Sequence, residues 1–536
     1  MTIEMETDVV IVGAGSAGCV VARRLSDDPR INVTLIEAGE RSNNFFTDIP
    51  GMTVRLMGNP QADWCYMAEP DPTLGGRQLS WNGGRMLGGS SSINGLVYIR
   101  GLQRDYNDWA AAGCTGWAWH DVEPYFRKAE GFEDGGLESL GSDGPYTISR
   151  IRSLHPLTPR FVDACAQVGI ASLADYSRGD RDGAFVNLTS QARGVRSSTA
   201  NRYLAPVLPR QNLQILRGAM ADKVLFEESR ACGVRVHANG ETLIVRARAQ
   251  VVISAGTLQS PGLLMRSGLG PAPQLREVGI DVRCDMPGVG RNLQEHCGVT
   301  ISRFTNVPTY NSQTGPLQAA RHLVNYLLFR RGPLASAAVQ GMAWARSDPK
   351  LPECDITLNW LPYGIDYTVV PPVMHKRPAV SLGVCVARPN ARGEIRLRSR
   401  EVREKPIIDH HLLGDERDLQ TIFRSLALME RVFDAPALAS AFIQRCSPEC
   451  FLQTDKEFEA FARAQCGIGY HAVGSCAMGS STDAVLDPEL RVRGVERLRV
   501  IDASVMPRLV SGNTNAASIM IGEKGADLVA RSLRGA

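Results

Sequence analysis

The stretch Asp8-Val9-Val10-Ile11-Val12-Gly13-Ala14-Gly15-Ser16-Ala17-Gly18, continued to Glu37-Ala38-Gly39, decides the fold. Asp8 to Val12 is an apolar, β-branched run that reads as a buried strand. Cys19 to Leu25 has helix character, with Val20, Val21 and Leu25 on the inner side. Asn32 to Ile36 reads as the next strand, and Glu37 closes it. Strand, glycine turn, helix, strand and acid within about 30 residues make a βαβ unit. Gly13 permits the tight reversal, Gly15 lets backbone touch a pyrophosphate, and Gly18 lets helix and strand pack closely. The positive helix end, with Ser16 and Ala17 in its first turn, faces the phosphates. The Glu37 carboxylate can accept hydrogen bonds from ribose hydroxyls and repel a 2′-phosphate, which disfavours NADP, and Ala38 beside it is expected to touch the cofactor. A glycine turn that binds nothing is the bland alternative, and the complete βαβ context weighs against it.

Working outward, Gly83 to Gly101 is a second glycine-rich zone. Gly88 and Gly89 leave no side chain between backbone N–H groups and a polar ligand. A free nicotinamide enzyme has no need of this zone; a flavin, whose ring reaches deeper, needs extra backbone contacts. Gln250 to Ser254 is another buried strand, and Leu498 to Ile501 a last short one. A C-terminal helix is expected to begin near Asn515, either as its N-cap or with its positive end turned to the ring. Residues 131–160 are rich in Gly, Ser and Pro and read as loops. Arg392 to Arg403 alternates charged and apolar residues, the pattern of a half-buried strand.

Four stretches resemble the signatures of the glucose–methanol–choline (GMC) oxidoreductase family. They are Gly84-Arg85-Met86-Leu87-Gly88-Gly89-Ser90-Ser91-Ser92-Ile93-Asn94-Gly95; Gly256 to Pro261 running on to Ser267-Gly268-Leu269-Gly270; Tyr470-His471-Ala472-Val473-Gly474-Ser475-Cys476; and Asp502-Ala503-Ser504 with Gly512-Asn513-Thr514-Asn515. They follow the family's order along essentially the whole chain, and the flavour is that of its bacterial choline dehydrogenase-like and alcohol dehydrogenase subgroup. The resemblance implies an α/β fold: a Rossmann-like FAD-binding domain and a substrate domain built on an antiparallel sheet covered by helices. The expected FAD-binding domain is 1–155, 190–300 and 466–536, and the substrate domain 156–189 and 301–465. The resemblance also implies FAD contacts at Ser90, Ser91, Asn94, Gly95, Val97, Val224, Ala255, Gly256, Asp502, Ala503 and Asn515. Some family members attach FAD through a His where this chain has Ile93, so noncovalent FAD is expected.

Alcohol oxidation requires a base of near-neutral pKa for the hydroxyl proton and a donor set in advance for the alkoxide. Of nine His, only His471 lies in a Gly-rich loop upstream of the C-terminal strand. Such a His is often structural; the resemblance implies that His471 is the catalytic base. It places the partner at Asn513, an amide that can donate and orient but cannot act as a base. His410 and His411 read as surface or structural. The expected reaction is FAD-dependent oxidation of a primary alcohol or polyol to the aldehyde or ketone, with electrons passed to a quinone or carrier rather than oxygen. The alternatives are an oxygen-using alcohol oxidase, a redox-silent FAD lyase of the hydroxynitrile lyase type, a nicotinamide-dependent dehydrogenase, and a binding module with a vestigial cofactor site.

The segment aligned with the carboxylate that choline-specific relatives turn to the trimethylammonium carries Gln340, which argues against choline. Trp360, Leu361 and Tyr363 read as core first and pocket lining second. Lys+Arg (59) and Asp+Glu (56) nearly cancel, and no basic run with interleaved aromatics occurs, so nucleic acid is not an expected partner. The 13 Cys lack zinc spacing and read as reduced thiols, with no metal expected. Met1 to Thr7 lacks the pattern of a signal peptide, and no apolar run is long enough to span a bilayer, so a cytoplasmic protein is expected, with peripheral membrane contact left open. Composition does not fix the oligomeric state.

Overall fold

Val9 to Val12 are β-branched and lie between strands on both sides, because the chain returns to them twice. A computed structural model describes residues 2–40, 45–366 and 373–534. The strands of its two large sheets are, in chain order, β1 (Thr2–Val12), β2 (Val33–Ile36), β3 (Gly183–Val186), β4 (Leu213–Leu216), β5 (Ala219–Glu227), β6 (Arg230–Ala238), β7 (Glu241–Ile253), β8 (Cys297–Thr305), β9 (Gly341–Ala345), β10 (Ile356–Leu361), β11 (Ala379–Val386), β12 (Phe442–Ser447), β13 (Gly467–Ile468) and β14 (Leu498–Val500). The helices used below are α1 (Ser16–Leu25), α2 (Ser260–Arg266), α3 (Pro316–Phe329), α4 (Glu416–Asp434) and α5 (Thr514–Arg534).

The first sheet has strand order β4-β2-β1-β7-β6-β5, with β14 pairing β7. The β1–β2, β1–β7, β2–β4 and β7–β14 pairs are parallel, with Val9 opposite Val33 and Gln250. Val9, Val10 and Ile11 are fully buried, as a sheet covered on both faces demands. α1 packs against α5. There the Arg24 guanidinium meets Glu523, whose carboxylate also accepts from the Tyr203 hydroxyl at 2.8 Å. Charge pairing and hydrogen bonds together offset the cost of burying Glu523.

The second sheet is antiparallel in the order β12-β8-β11-β10-β9-β3, with β13 pairing β8. α4 lies across β8 and β11. The architecture is the expected α/β one: a Rossmann-like sheet and a helix-covered antiparallel sheet. β8 begins at Cys297 and β13 ends at Ile468, so the second sheet straddles the 300/301 and 465/466 boundaries drawn from sequence. Residues 131–160 hold a strand, Tyr146–Arg150, where loops were expected; Tyr146 and Ile148 alternate inward from within the glycine-rich surroundings. The half-buried strand expected in the Arg-rich stretch is Glu394–Arg396, with Ile395 inward. None of the thirteen Cys, all among the described residues, is in a disulfide. No helix among the described residues is long and apolar enough to cross a membrane.

Candidate active site

The carboxyl ends of β1, β2 and β7 open into a cavity of about 1010 Å³. That is where ligands of open parallel sheets bind. Gly13 turns the chain there with φ +100°, and a Cβ on it would fall 2.3 Å from the Ser254 carbonyl oxygen. Gly15 differs: its Cβ position meets only Ser254 O at 3.9 Å, so the backbone is open toward the cavity. The Gly95 and Gly256 Cβ positions meet no atom within 4 Å. Three bare stretches of main chain along one cavity are what a long dinucleotide needs, and FAD fits this cradle.

The cavity is lined by Gly13, Gly15, Ser16, Ala17, Glu37, Ala38, Gly89, Ser90, Asn94, Gly95, Val97, Ala255, Gly256, Asp502, Ala503 and Asn515 of the expected cofactor set, together with His471 and Asn513. Four expected contacts stand back from it. Gly18 packs against the turn, where a Cβ would lie 1.9 Å from Gly13 O. Gly88 (φ +86°) donates its N–H to Ala14 O at 2.8 Å, and the buried Ser91 hydroxyl donates to Gly88 O at 2.6 Å. These three hold the two glycine zones together. Val224 corrects an expectation: it is buried in β5, its N–H donates to Ser267 Oγ at 2.8 Å, and Ala219, Met220 and Ala221 line the cavity instead. Val224 lies three residues, about 10 Å, further along β5 than Ala221 and so past the cavity end.

Several carboxylates tie the site together. Glu37 accepts from Ala14 N–H (2.9 Å) and Gly39 N–H (2.7 Å), and burial pushes its carboxyl up to about 7. Asp502 accepts from Gly256 N–H (2.9 Å), Ser260 Oγ (2.6 Å) and Ser504 N–H (2.8 Å), which locks the end of β7 to the turn after β14. Asn515 is the second residue of α5 rather than its N-cap. Its side chain accepts from Ser16 Oγ (2.8 Å) and donates to Tyr146 Oη (2.9 Å). That bond joins the N-termini of α1 and α5, so two positive helix ends converge on one cavity.

A pair of imidazoles stands beside Asn513. His471 Nε2 lies 2.8 Å from Asn513 Nδ2, and its Nδ1 lies 2.9 Å from His296 Nδ1. His296 Nε2 is 3.0 Å from the Ala387 carbonyl oxygen. The protons can be placed from these contacts alone. A carbonyl only accepts, so His296 Nε2 carries the hydrogen and its Nδ1 is a bare acceptor. His471 must then donate from Nδ1, which leaves a lone pair on Nε2, the nitrogen beside Asn513. Burial pulls His296 down to about 4. Burial, and secondarily the charge of His296, pulls His471 well below the ordinary His value. Both rings are therefore neutral near pH 7, as this proton placement requires. The His471 N–H donates to both oxygens of Glu295 (2.7 and 2.8 Å), whose carboxyl is pushed up to about 8 by burial.

Sequence reading missed His296 and Glu295. The available signal was an acid–His pair at the entry of an apolar strand, Gln294-Glu295-His296-Cys297. Gln340 faces away from the cavity: its Oε1 accepts from His155 N–H (2.9 Å) and Thr158 Oγ1 (3.0 Å), and its Nε2 donates to Tyr310 Oη (2.9 Å). It carries no information about substrate charge. Trp360 is core, stacked on Phe161, whereas Leu361 and Tyr363 line the cavity. His410 is buried with Nδ1 2.9 Å from Asp71, and His411 is half-buried beside Asp409.

The chain is similar to known proteins along most of its length. Residues 7–298 match the N-terminal and residues 389–522 the C-terminal family profile described as GMC oxidoreductase. The chain is 38% identical over 536 residues to the mitochondrial choline dehydrogenase of Homo sapiens, covering 98% of this chain and 90% of that one. It is 39% identical over 530 residues to the oxygen-dependent choline dehydrogenase of Brucella canis, covering 98% and 95%. The solved structure of pyridoxine 4-oxidase from Mesorbium loti superposes with a TM-score of 0.88 at 30% identity, covering 97% of this chain and 98% of that one. A formate oxidase structure superposes with a TM-score of 0.93 at 24% identity, covering 100% of each chain, a likeness of fold.

Proposed function

The chain belongs to the GMC oxidoreductase family and is an FAD-dependent oxidoreductase, and from that premise we propose that it oxidises a primary alcohol or polyol to the aldehyde or ketone. The observation that carries the reading is His471 Nε2 lying 2.8 Å from the Asn513 amide inside the cavity, the nitrogen that the His296 contact leaves free to accept a proton. One hydroxyl oxygen can touch both groups. His471 takes its proton, and Asn513 donates to the alkoxide that forms. Bound FAD supplies the acceptor for the hydride leaving the carbinol carbon. Gly15, Gly89, Gly95 and Gly256 would hold it by main chain, with Glu37 at the ribose end. Ile93 lines the cavity and offers no nucleophilic atom, which supports noncovalent attachment. The apolar walls exclude water, and the positive ends of α1 and α5 favour negative charge on the reduced ring.

The substrate end supports an alcohol with a neutral body. It is walled by Leu334, Val339, Leu361, Ile365 and Met374. The lining carboxylates, Glu37, Glu295 and Asp502, are each tied to backbone N–H groups. A second reading, choline itself, draws on the names of the relatives and on the rings of Trp64, Tyr66, Trp81 and Tyr310, since aromatic faces attract quaternary ammonium. The Arg85 guanidinium already lies 5.0 Å from the Trp64 ring centre, which weighs against a further cation there.

One experiment separates the two readings and tests the redox function. Anaerobic mixing with a panel of aliphatic, aryl and polyol alcohols and choline is expected to bleach the flavin band. The uncharged alcohols should be preferred by roughly tenfold or more in kcat/KM. A preference for choline overturns the neutral-substrate reading, and no bleaching by any alcohol overturns the redox reading in favour of a lyase. Reoxidation is expected to be faster with a quinone analogue than with oxygen. Faster reoxidation by oxygen makes the protein an oxidase.

A further inference from the structure

α3 turns its apolar side chains to solvent. Leu317 is 82% exposed, Leu328 69% and Phe329 62%, with Leu323, Val324 and Leu327 beside them. Within the helix only Tyr326 is buried, its hydroxyl donating to Gly194 O at 3.2 Å. A surface helix normally turns such a stripe toward the core. Contiguous exposed apolar surface of this kind marks an interaction site.

Charge says what the site fits. From Asn306 to Ala345 the chain has no Asp or Glu, and it carries Arg321, Arg330 and Arg331, although acids and bases nearly balance over the whole sequence. Arginines bordering an apolar helix face can lay their stems in an acyl boundary and their heads among phosphates. The same bias opposes a second copy on this face, because like charges would meet. Position supplies the third argument. Past Gly332 the chain enters Pro333 and Leu334, which line the catalytic cavity, as do the exposed Val54, Val373 and Met374. The end of α3 is thus four residues from the cavity mouth along the chain.

We propose that α3 and the adjoining mouth rest on a bilayer surface rich in anionic phospholipid, with the helix lying in the interface. Its 14 residues are too few to span a bilayer. The cavity then opens toward the lipid, where apolar alcohols and quinones concentrate.

The test is cosedimentation of the FAD-loaded protein with vesicles of phosphatidylcholine alone or mixed with phosphatidylglycerol, at low and high salt. The wild type is expected to pellet with the mixed vesicles and to be released in part by salt. V324E/L328E should bind about tenfold more weakly or worse, and R321E/R331E should lose the preference for phosphatidylglycerol. Both variants change exposed positions away from the cavity, so FAD content and turnover with a soluble dye should match the wild type. Wild-type protein staying in the supernatant with both vesicle types overturns the proposal. So does V324E/L328E pelleting like the wild type. A wild-type dimer that V324E/L328E dissolves, without vesicle binding, assigns the face to a second copy instead.

Discussion

His471→Ala is expected to keep the FAD spectrum and to slow flavin reduction by alcohol roughly 10²- to 10⁴-fold, the usual contribution of a positioned general base. The ring is held at three points: Nδ1 on His296, Nε2 on Asn513, and the backbone N–H on Glu295. None of the three is among the main-chain groups that would hold the dinucleotide, so cofactor loading should survive the substitution. pH gives an independent check, with the sign as follows. The base works unprotonated, and burial lowers its pKa well below 6.5. Its working form is therefore fully present above that lowered value and is lost only as pH falls through it. In the wild type, the limb of kcat/KM that belongs to His471 should lie below pH 6.5, apart from any step near pH 8 that Glu295 adds and Glu295→Gln removes. A lowest limb centred at or above 6.5, or an alanine variant that reduces its flavin at a near-normal rate, removes His471 from the role of base.

How much of this was legible in the sequence depended on range. The βαβ unit is local: Gly13, Gly15, Gly18 and Glu37 lie within one strand–helix–strand passage, and the steric reasons for the glycines are visible in the string itself. His471 and Asn513 are 42 residues apart and were reached through motif resemblance; the cavity brings them to 2.8 Å. His296 is 175 residues from His471. The local mark, an acid–His pair at the entry of an apolar strand, names no partner, because its part in the site consists of the nitrogen it presents to another ring. Gln340 failed for the opposite reason. An amide in a strand-rich segment looks the same whether it faces a ligand or, as here, ties His155, Thr158 and Tyr310 together in the interior. Val224 shows that a strand contact must be placed along the strand as well as on a face: it lies three residues beyond Ala221 on β5, past the cavity end.

His296 yields the second large effect, because the protonation of His471 is inherited from it. The Ala387 carbonyl can only accept, so it fixes the hydrogen on His296 Nε2. The bare His296 Nδ1 then fixes the hydrogen on His471 Nδ1. Leucine at position 296 fills much the same volume but accepts nothing. The buried His471 Nδ1–H loses its partner at about 1–3 kcal/mol, and the tautomer with Nε2 protonated, useless as a base, becomes competitive. His296→Leu should lower kcat/KM for flavin reduction about 10- to 100-fold, which is what about 1–3 kcal/mol of lost orientation amounts to. The loss should fall mainly on kcat, since the substrate walls are untouched. Glutamine separates proton placement from packing. Its amide can donate to Ala387 O while its oxygen accepts from His471 Nδ1, which rebuilds both bonds. His296→Gln should therefore recover most of the activity that His296→Leu loses. Equal rates in the two variants would show that the ring at 296 acts through its bulk alone, and the proton placement argued for His471 would fall with it.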